Sequence, residues 1–268
     1  MSRWTIDEPT TLEFDGVVAL RATLIAGSVS VVAGTGRPAV HVEGVDGPPL
    51  QIAHEAGMLS ITHEKLIEGV LSWLRTQQAS AHVTVTVPPD CPVSLNLVSA
   101  DAVISGISAR TQVRSATGDV TLHDVTGDIE ANTVSGDVEA QGLDGRVGFV
   151  SASGELALAG GSPERLTART ISGRISVDVD LLGDARTEIQ TVTADVAVRL
   201  PERASATVAL GSGTGRVEAS FPELARQDRA IARSVSGKLG DGSANLTVNT
   251  ISGNVTLLSR PAHDALED

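Results

Sequence analysis

Aromatic residues are nearly missing from this chain. It has no Tyr, and its three Phe and two Trp make up 2 % of 268 residues. Pockets of enzymes and small-molecule binders are ordinarily lined with aromatic groups. An interior narrow enough to be filled by Val, Ile, Leu and Ala needs none. Cysteine occurs once, at Cys91, which excludes an intramolecular disulfide. Basic residues are outnumbered 33 to 20, for a formal charge of −13. That balance opposes binding to nucleic-acid phosphates or to an anionic membrane surface. No run approaches the ~20 apolar residues that a membrane-spanning helix needs. The opening Met1-Ser2-Arg3-Trp4-Thr5-Ile6-Asp7-Glu8 lacks the apolar centre of a secretory signal. A cytoplasmic protein with a protein partner, and no nucleic acid, is the expectation.

What the chain has is one short phrase, repeated. Thr133-Val134-Ser135-Gly136-Asp137-Val138 is preceded by Ser115-Ala116-Thr117-Gly118-Asp119-Val120 and followed by Ser151-Ala152-Ser153-Gly154-Glu155-Leu156. Thr170–Ile175, Ser234–Leu239 and Thr250–Val255 repeat it again. Gly118, Gly136 and Gly154 lie 18 residues apart, and Gly173 follows after 19. Fainter echoes fall halfway between, at Thr126-Gly127-Asp128-Ile129 and Asp144-Gly145-Arg146-Val147. The unit is therefore two strands per turn of roughly 18 to 22 residues.

Within each unit the period is two, as in a strand. It places Val134, Gly136, Val138 and Ala140 on an inward face, with Thr133, Ser135, Asp137 and Glu139 outward. Val125, Gly127, Ile129 and Ala131 follow the same rule, as do Ile171, Gly173, Ile175 and Val177, and Ile251, Gly253, Val255 and Leu257. Ala100 and Ala194 stand where other units carry glycine. Alanine resists positive φ. The glycine is thus read as a close-packing residue and not mainly as a left-handed one.

Identical phrases in register suit parallel stacking. The expected fold is all-β, a single-domain parallel β-solenoid (β-helix), right-handed by the crossover rule. Residues 10–92 read as irregular opening turns, 93–259 as regular repeats and 260–268 as an acidic tail. One amphipathic helix is expected at 64–75. There Leu66, Val70, Leu71, Trp73 and Leu74 share a face and form a candidate interaction or capping surface. Phe221-Pro222-Glu223-Leu224-Ala225-Arg226 is a candidate helical turn. The last rung, Thr250–Leu258, is expected to expose an open edge. Homodimerisation through it is the partner expectation.

The string (S/T)-(V/I/A)-(S/T)-G-(D/R/K/N)-(V/I/L) resembles the bacterial "putative adhesin" β-strand-repeat family, a domain of unknown function. Thr133–Val138 and Thr170–Ile175 carry the likeness best. Gly27-Ser28-Val29-Ser30-Val31 and Val83-Thr84-Val85-Thr86-Val87-Pro88 extend it to roughly residues 10–259. The resemblance implies a β-solenoid and no catalytic residues.

Candidate chemistry is sparse. Asp119, Asp137 and Glu155 would stack one per turn, but the column continues as Arg174, Asp195, Arg216, Lys238 and Asn254. Mixed charge fits turn residues better than a cation or catalytic site. His41, His54, His63, His82, His123 and His263 form no metal-ligand spacing with Cys91. Gly211-Ser212-Gly213-Thr214-Gly215 lacks the lysine of a phosphate loop. No catalytic, cofactor or metal residues are assigned. The function expected is a non-enzymatic scaffold or adhesin-like interaction module. The alternatives are a carbohydrate-binding or polysaccharide-cleaving β-helix and a self-polymerising cytoskeletal scaffold resembling bactofilins.

Overall fold

The computed structural model describes residues 2–63, 79–229 and 232–261. Those residues form 24 strands and no helix. The helix expected at 64–75, with Leu66, Val70, Leu71, Trp73 and Leu74, lies outside the described residues, as does most of the 260–268 tail. The chain divides into two compact units, residues 1–138 and 139–268.

Unit 1 contains β1 (Ser2–Ile6), β2 (Thr10–Glu13), β3 (Ala19–Ala33), β4 (Ala39–Asp46), β5 (Leu50–Glu55) and β6 (Met58–His63). These are followed by β7 (Ser80–Val87), β8 (Val93–Ser105), β9 (Thr111–Ser115), β10 (Val120–His123) and β11 (Thr126–Thr133). Two long strands, β3 and β8, lie parallel and in register along both of their halves, Leu20 opposite Val93 and Val32 opposite Ser105. β9 and β10 then lie parallel on β8, and β11 on β9 with Ile129 opposite Thr111. That offset is the 18-residue repeat made physical. On the other side of β3 run β6 and β7, also parallel. Antiparallel strands finish this end: β5 and then β1 beyond β6, β4 and then β2 beyond β7.

Unit 2 begins one residue into β12 (Val138–Gln141) and contains β13 (Asp144–Ser151), β14 (Leu156–Ala159), β15 (Pro163–Thr170), β16 (Arg174–Asp178), β17 (Arg186–Thr191) and β18 (Asp195–Pro201). Then come β19 (Ala206–Ser212), β20 (Val217–Ala219), β21 (Ala225–Arg229), β22 (Ala232–Leu239), β23 (Ala244–Thr250) and β24 (Val255–Arg260). One face runs β13, β15, β17, β23, β19, all parallel. The other runs β14, β16, β18, β24, β20. Spatial order is not chain order. The last rung, β23–β24, sits between β17–β18 and β19–β20.

This corrects the open-edge expectation. Thr191 and Ser212 both pair with Thr250, one from each side, and Val196 and Val217 both pair with Val255. Every strand of the C-terminal rung is paired on both edges, so it offers no edge for a homodimer. The stack instead finishes with the antiparallel strands β22 and β21 beyond β19. Ser234–Leu239, read as a repeat corner, is straight strand in β22 with Gly237 opposite Val208. The 221–226 stretch is not helical: Leu224 N–H donates to Phe221 C=O at 3.3 Å in a turn, and Ala225 begins β21.

Inward positions form columns of aliphatic groups. In unit 2 Val147, Leu166, Leu246 and Val208 are buried along one line. Phe149 faces the small Ala168 on the next strand, so volumes compensate. Each buried Val, Leu or Ile contributes about 1.5–3 kcal/mol. Thr187 interrupts the first column. It is 2 % exposed and its hydroxyl has no hydrogen-bond partner.

Candidate functional site

The repeated phrase forms a corner, and the corner breaks the period of two. Thr133 is buried, Val134 is 56 % exposed, Gly136 is buried and Asp137 is exposed. Inward positions are thus three apart across the bend, not two. Ile171 and Ile251 point outward as well, at 58 % and 62 % exposed. The assignment of these three aliphatics to the inward face is therefore corrected. So is that of Gly127 and Gly173, both exposed.

The reason lies in the hydroxyl. At the corner the backbone leaves its ladder, and its polar groups need partners inside. The buried Ser or Thr supplies them. Ser115 Oγ donates to Gly118 C=O at 2.8 Å. Thr250 Oγ1 accepts from Gly253 N–H at 3.0 Å, and Ser151 Oγ from Gly154 N–H at 2.9 Å. Ser212 accepts from Gly215 N–H at 2.9 Å and donates to Gly253 C=O at 2.8 Å. An aliphatic group in that place would strand these atoms, so it is turned out.

The glycine fits as a close-packing residue. A Cβ on Gly136 would stand 2.1 Å from the Gly118 oxygen, and one on Gly118 1.8 Å from the Ala100 oxygen. Neither glycine has positive φ.

The acid after the glycine is bonded, not merely solvated. Asp101 Oδ1 accepts from Asp119 N–H at 3.0 Å, and Asp119 Oδ1 from Asp137 N–H at 2.9 Å. In unit 2 Asp195 Oδ1 accepts from Asn254 N–H at 2.7 Å, and Asn254 Oδ1 from Arg216 N–H at 2.9 Å. Each side chain ties its corner to the next rung. Spatial order along this line is Arg174, Asp195, Asn254, Arg216. Lys238, expected in the column, belongs to β22 and is not in it. Glu155 precedes Leu156, which pairs with Ile175 beside Arg174.

Beyond the corner the outer face of β16, β18, β24 and β20 holds a hollow of about 400 Å³, walled by Arg174, Asp195, Asn254, Arg216 and Glu218 over Ala197 and Thr256. A second, of about 300 Å³, is lined by Ala157, Ala159, Ala197 and Leu258 beside Asp178 and Arg199. Asp178 there is clamped by Arg199 at 2.7 Å and Arg260 at 2.8 Å.

On the opposite face three arginines stand in register. Arg146 of β13 pairs with Arg165 of β15, and Arg165 with Arg186 of β17. All three are exposed. The sequence held a trace of this column: Gly145-Arg146-Val147 is one of the half-repeat echoes. Spacings of 19 and 21 hide it until the strands are aligned.

Other expected residues do not converge. Among the described residues no group of three His, Cys, Asp or Glu is placed to hold a metal ion. Cys91 is buried, and burial with the nearby Asp90 pushes its thiol pKa up to about 11. His63 is fully buried with neither ring nitrogen bonded, and burial lowers its pKa. Among the described residues no helix is long and apolar enough to cross a membrane.

The class these features define is an all-β repeat protein, built of stacked parallel rungs with Ser/Thr-Gly-Asp corners. A family model agrees over residues 37–258: the chain belongs to the Toastrack DUF4097 family. No curated protein matches it. Solved structures that it resembles include a "putative adhesin" from Bacteroides fragilis, 9 % identical over 96 % of this chain and 97 % of that one, with a TM-score of 0.48. A "putative lipid binding protein" from Parabacteroides distasonis is 14 % identical over 94 % and 97 %, with a TM-score of 0.49. A "putative cell adhesion protein" from Clostridium sporogenes is 13 % identical over 96 % and 100 %, with a TM-score of 0.25.

Proposed function

We propose that this chain is a right-handed parallel β-solenoid acting as a non-enzymatic, cytoplasmic scaffold that presents its outer faces to a protein partner. The observation that carries the reading is the bonding of the post-glycine carboxylates. In a catalytic or cation-binding column these oxygens would be free to meet a substrate. Here Asp101, Asp119 and Asp195 accept backbone N–H groups from the neighbouring rung. They serve the stack. Within each unit, stacked rungs with varied outward side chains supply a surface for recognition. The buried, protonated Cys91 thiol suits a reducing compartment.

Two measurements test this. The purified chain, offered acidic and neutral polysaccharides, should release no new chain ends. Release that disappears in a D119N/D137N/E155Q variant would overturn the non-enzymatic reading. In its own cell lysate the chain should elute in an assembly larger than itself. Elution only as the free chain would overturn the scaffold reading.

A further inference from the structure

The corner that turns its hydroxyl inward turns an aliphatic group out. In unit 2 three such groups fall side by side: Ile171, Val192 and Ile251, at 58 %, 38 % and 62 % exposed. Thr193 N–H donates to Ile171 C=O and Ser252 N–H to Val192 C=O, both at 2.9 Å, so the three stand on consecutive rungs. Rung order makes this ridge continuous. In chain order Gly213 would separate Val192 from Ile251. With the last rung intercalated, Gly213 lies at one end of the ridge, beside Ile251, and Ala152 at the other, beside Ile171. The line therefore runs Ala, Ile, Val, Ile, Gly. The corner itself does not require a branched aliphatic, because Ala116 and Ala152 hold the same place elsewhere. Exposed apolar groups are ordinary singly, but a contiguous set marks a contact surface.

We propose that this ridge is a homodimer contact, in which a second copy of the chain lays its own Ile171, Val192 and Ile251 against the first across a two-fold axis. The inference goes beyond the scaffold reading and concerns the chain by itself. Symmetry is the first argument for a second copy. An isologous contact must be self-complementary, and the ridge has like groups on either side of Val192. An axis crossing it at Val192 brings Ile171 to the second copy's Ile251. An axis running along it brings each residue to its own counterpart. Both place Val192 against Val192. The step matches as well, since each ridge advances by one strand spacing, roughly 4.8 Å. An extended peptide strand presents side chains on one side only every 6.8 Å or so and falls out of step.

Charge is the second argument. Two copies of a chain of net charge −13 repel, so they can meet only where acids are absent. The ridge is such a place. One border is Ser172, Thr193 and Ser252, whose hydroxyls donate back to the C=O groups of Ala152, Ile171 and Val192. The other border is Arg169, Gln190 and Asn249, in register on β15, β17 and β23. Neither row holds a carboxylate. Three aliphatics a side are few beside the roughly 20–30 residues of a standard interface. The contact is therefore transient, with a Kd on the order of 100 μM.

The test uses the purified full chain. Sedimentation velocity across a concentration series spanning that Kd should show monomer giving way to dimer, more readily at high salt, which screens the net charge. I171T/I251T keeps both branched Cβ atoms and should melt with the parent while dimerising at least about tenfold more weakly. L182T removes another aliphatic group, 66 % exposed and off the ridge in the turn before β17, and should dimerise as the parent does. Val192→Cys gives the geometric check. Cys91 is buried, so the parent should form no disulfide. V192C brings two Cβ atoms to about 4 Å and should cross-link at least about tenfold faster than L182C. Equal cross-linking rates, or equal weakening by I171T/I251T and L182T, would mean unspecific apolar association and would sink the ridge. A parent that stays monomeric yet floats with phosphatidylcholine vesicles, in a way that I171T/I251T abolishes, would give the ridge to a lipid surface and overturn the dimer. A pure parent that is monomeric throughout, yet still elutes in its lysate assembly, would defeat the dimer and leave the scaffold reading standing.

Discussion

Replacing Gly136 by Ala adds one methyl group, and the stack has no room for it. The new Cβ would lie 2.1 Å from the carbonyl oxygen of Gly118, one rung below. Ordinary contact begins near 3.4 Å, so the rungs must part by more than an ångström at this corner. Two backbone bonds hold them there: Ser135 N–H to Ala116 C=O at 3.0 Å and Val120 N–H to Asp137 C=O at 2.9 Å. Overpacking costs about 1–3 kcal/mol, and each strained bond adds about 1 kcal/mol. Against this, Ala loses less backbone entropy than Gly on folding, worth about 0.4–1 kcal/mol. The net expectation is a loss of about 3 kcal/mol, or roughly 6–12 °C in melting temperature for a chain of this size. The alanines already present at this position do not contradict it. Ala100 lies over Gly27 and Ala194 over Gly173, and those two glycines have φ of 100° and 110°. Gly118 has no positive φ, and its oxygen meets the corner above. Paired urea melts of G136A and of S135A, an exposed neighbour expected to change by less than about 0.5 kcal/mol, make the comparison. Equal midpoints and slopes for the two would refute the close-packing account of the glycine.

The same substitution should have opposite signs at two threonines. Thr187→Val removes a buried hydroxyl without a partner and should stabilise by about 1 kcal/mol, whereas Thr250→Val strands the Gly253 N–H and should destabilise by about 1–3 kcal/mol; denaturant midpoints read both. Asp119→Asn keeps an acceptor for Asp137 N–H, as Asn254 does for Arg216, and should be neutral, while Asp119→Ala should lose about 1 kcal/mol in the same assay. His63 has its folded pKa lowered by burial, so the unfolded chain takes up the proton first. Its contribution to stability is therefore complete above about 6.5 and declines as pH falls toward the folded pKa. His63→Leu should flatten that part of the stability profile between pH 7 and 5, and an unchanged slope would show that the imidazole is not buried neutral.

Much of the fold was legible because the determinant is local and repeated. Gly118, Gly136 and Gly253 are inward and closely packed, as their alternation with Val and Ile requires. The strands fall where β-branched residues recur. The corner was misread because a period of two holds only while the backbone stays in its ladder. At Thr133 and Thr250 the chain leaves it, and a hydroxyl is worth more inside than a methyl group. Val134 and Ile251 then go outward, against what hydrophobicity alone dictates. Ser234–Leu239 carries the same phrase as Thr250–Val255 and becomes plain strand, since an antiparallel neighbour already pairs its backbone. The arginine column could have been found by aligning half-repeats. Its charges look scattered in the sequence because turns of unequal length separate them.

Rung order was the feature no local pattern could report. Thr191 meets Thr250, 59 residues later, while the nearer Ser212 is displaced to the far side of that rung. The pairing energies of β19–β20 and β23–β24 on β17–β18 are of similar kind, since both turn Ala, Val and Leu inward. Loop closure does not separate them strongly either, because its cost grows only as the logarithm of length. What differs is the corner. Gly253 places its N–H on Thr250 and lies so close to Ala194 that a Cβ on it would stand 1.8 Å from the Ala194 oxygen, so it nests on the Val192–Asp195 corner. Asn254 then fills both roles of the ladder, donating to Asp195 and accepting from Arg216. Arg216 has no oxygen at the end of a short side chain, so it can end such a ladder but cannot pass it on. With Asn254 in the middle and Arg216 last, every corner N–H from Asn254 onward has an acceptor. The reverse order would leave Asn254 N–H facing a guanidinium. The intercalated rung is thus the arrangement that the asymmetry of Asn and Arg at one corner position selects.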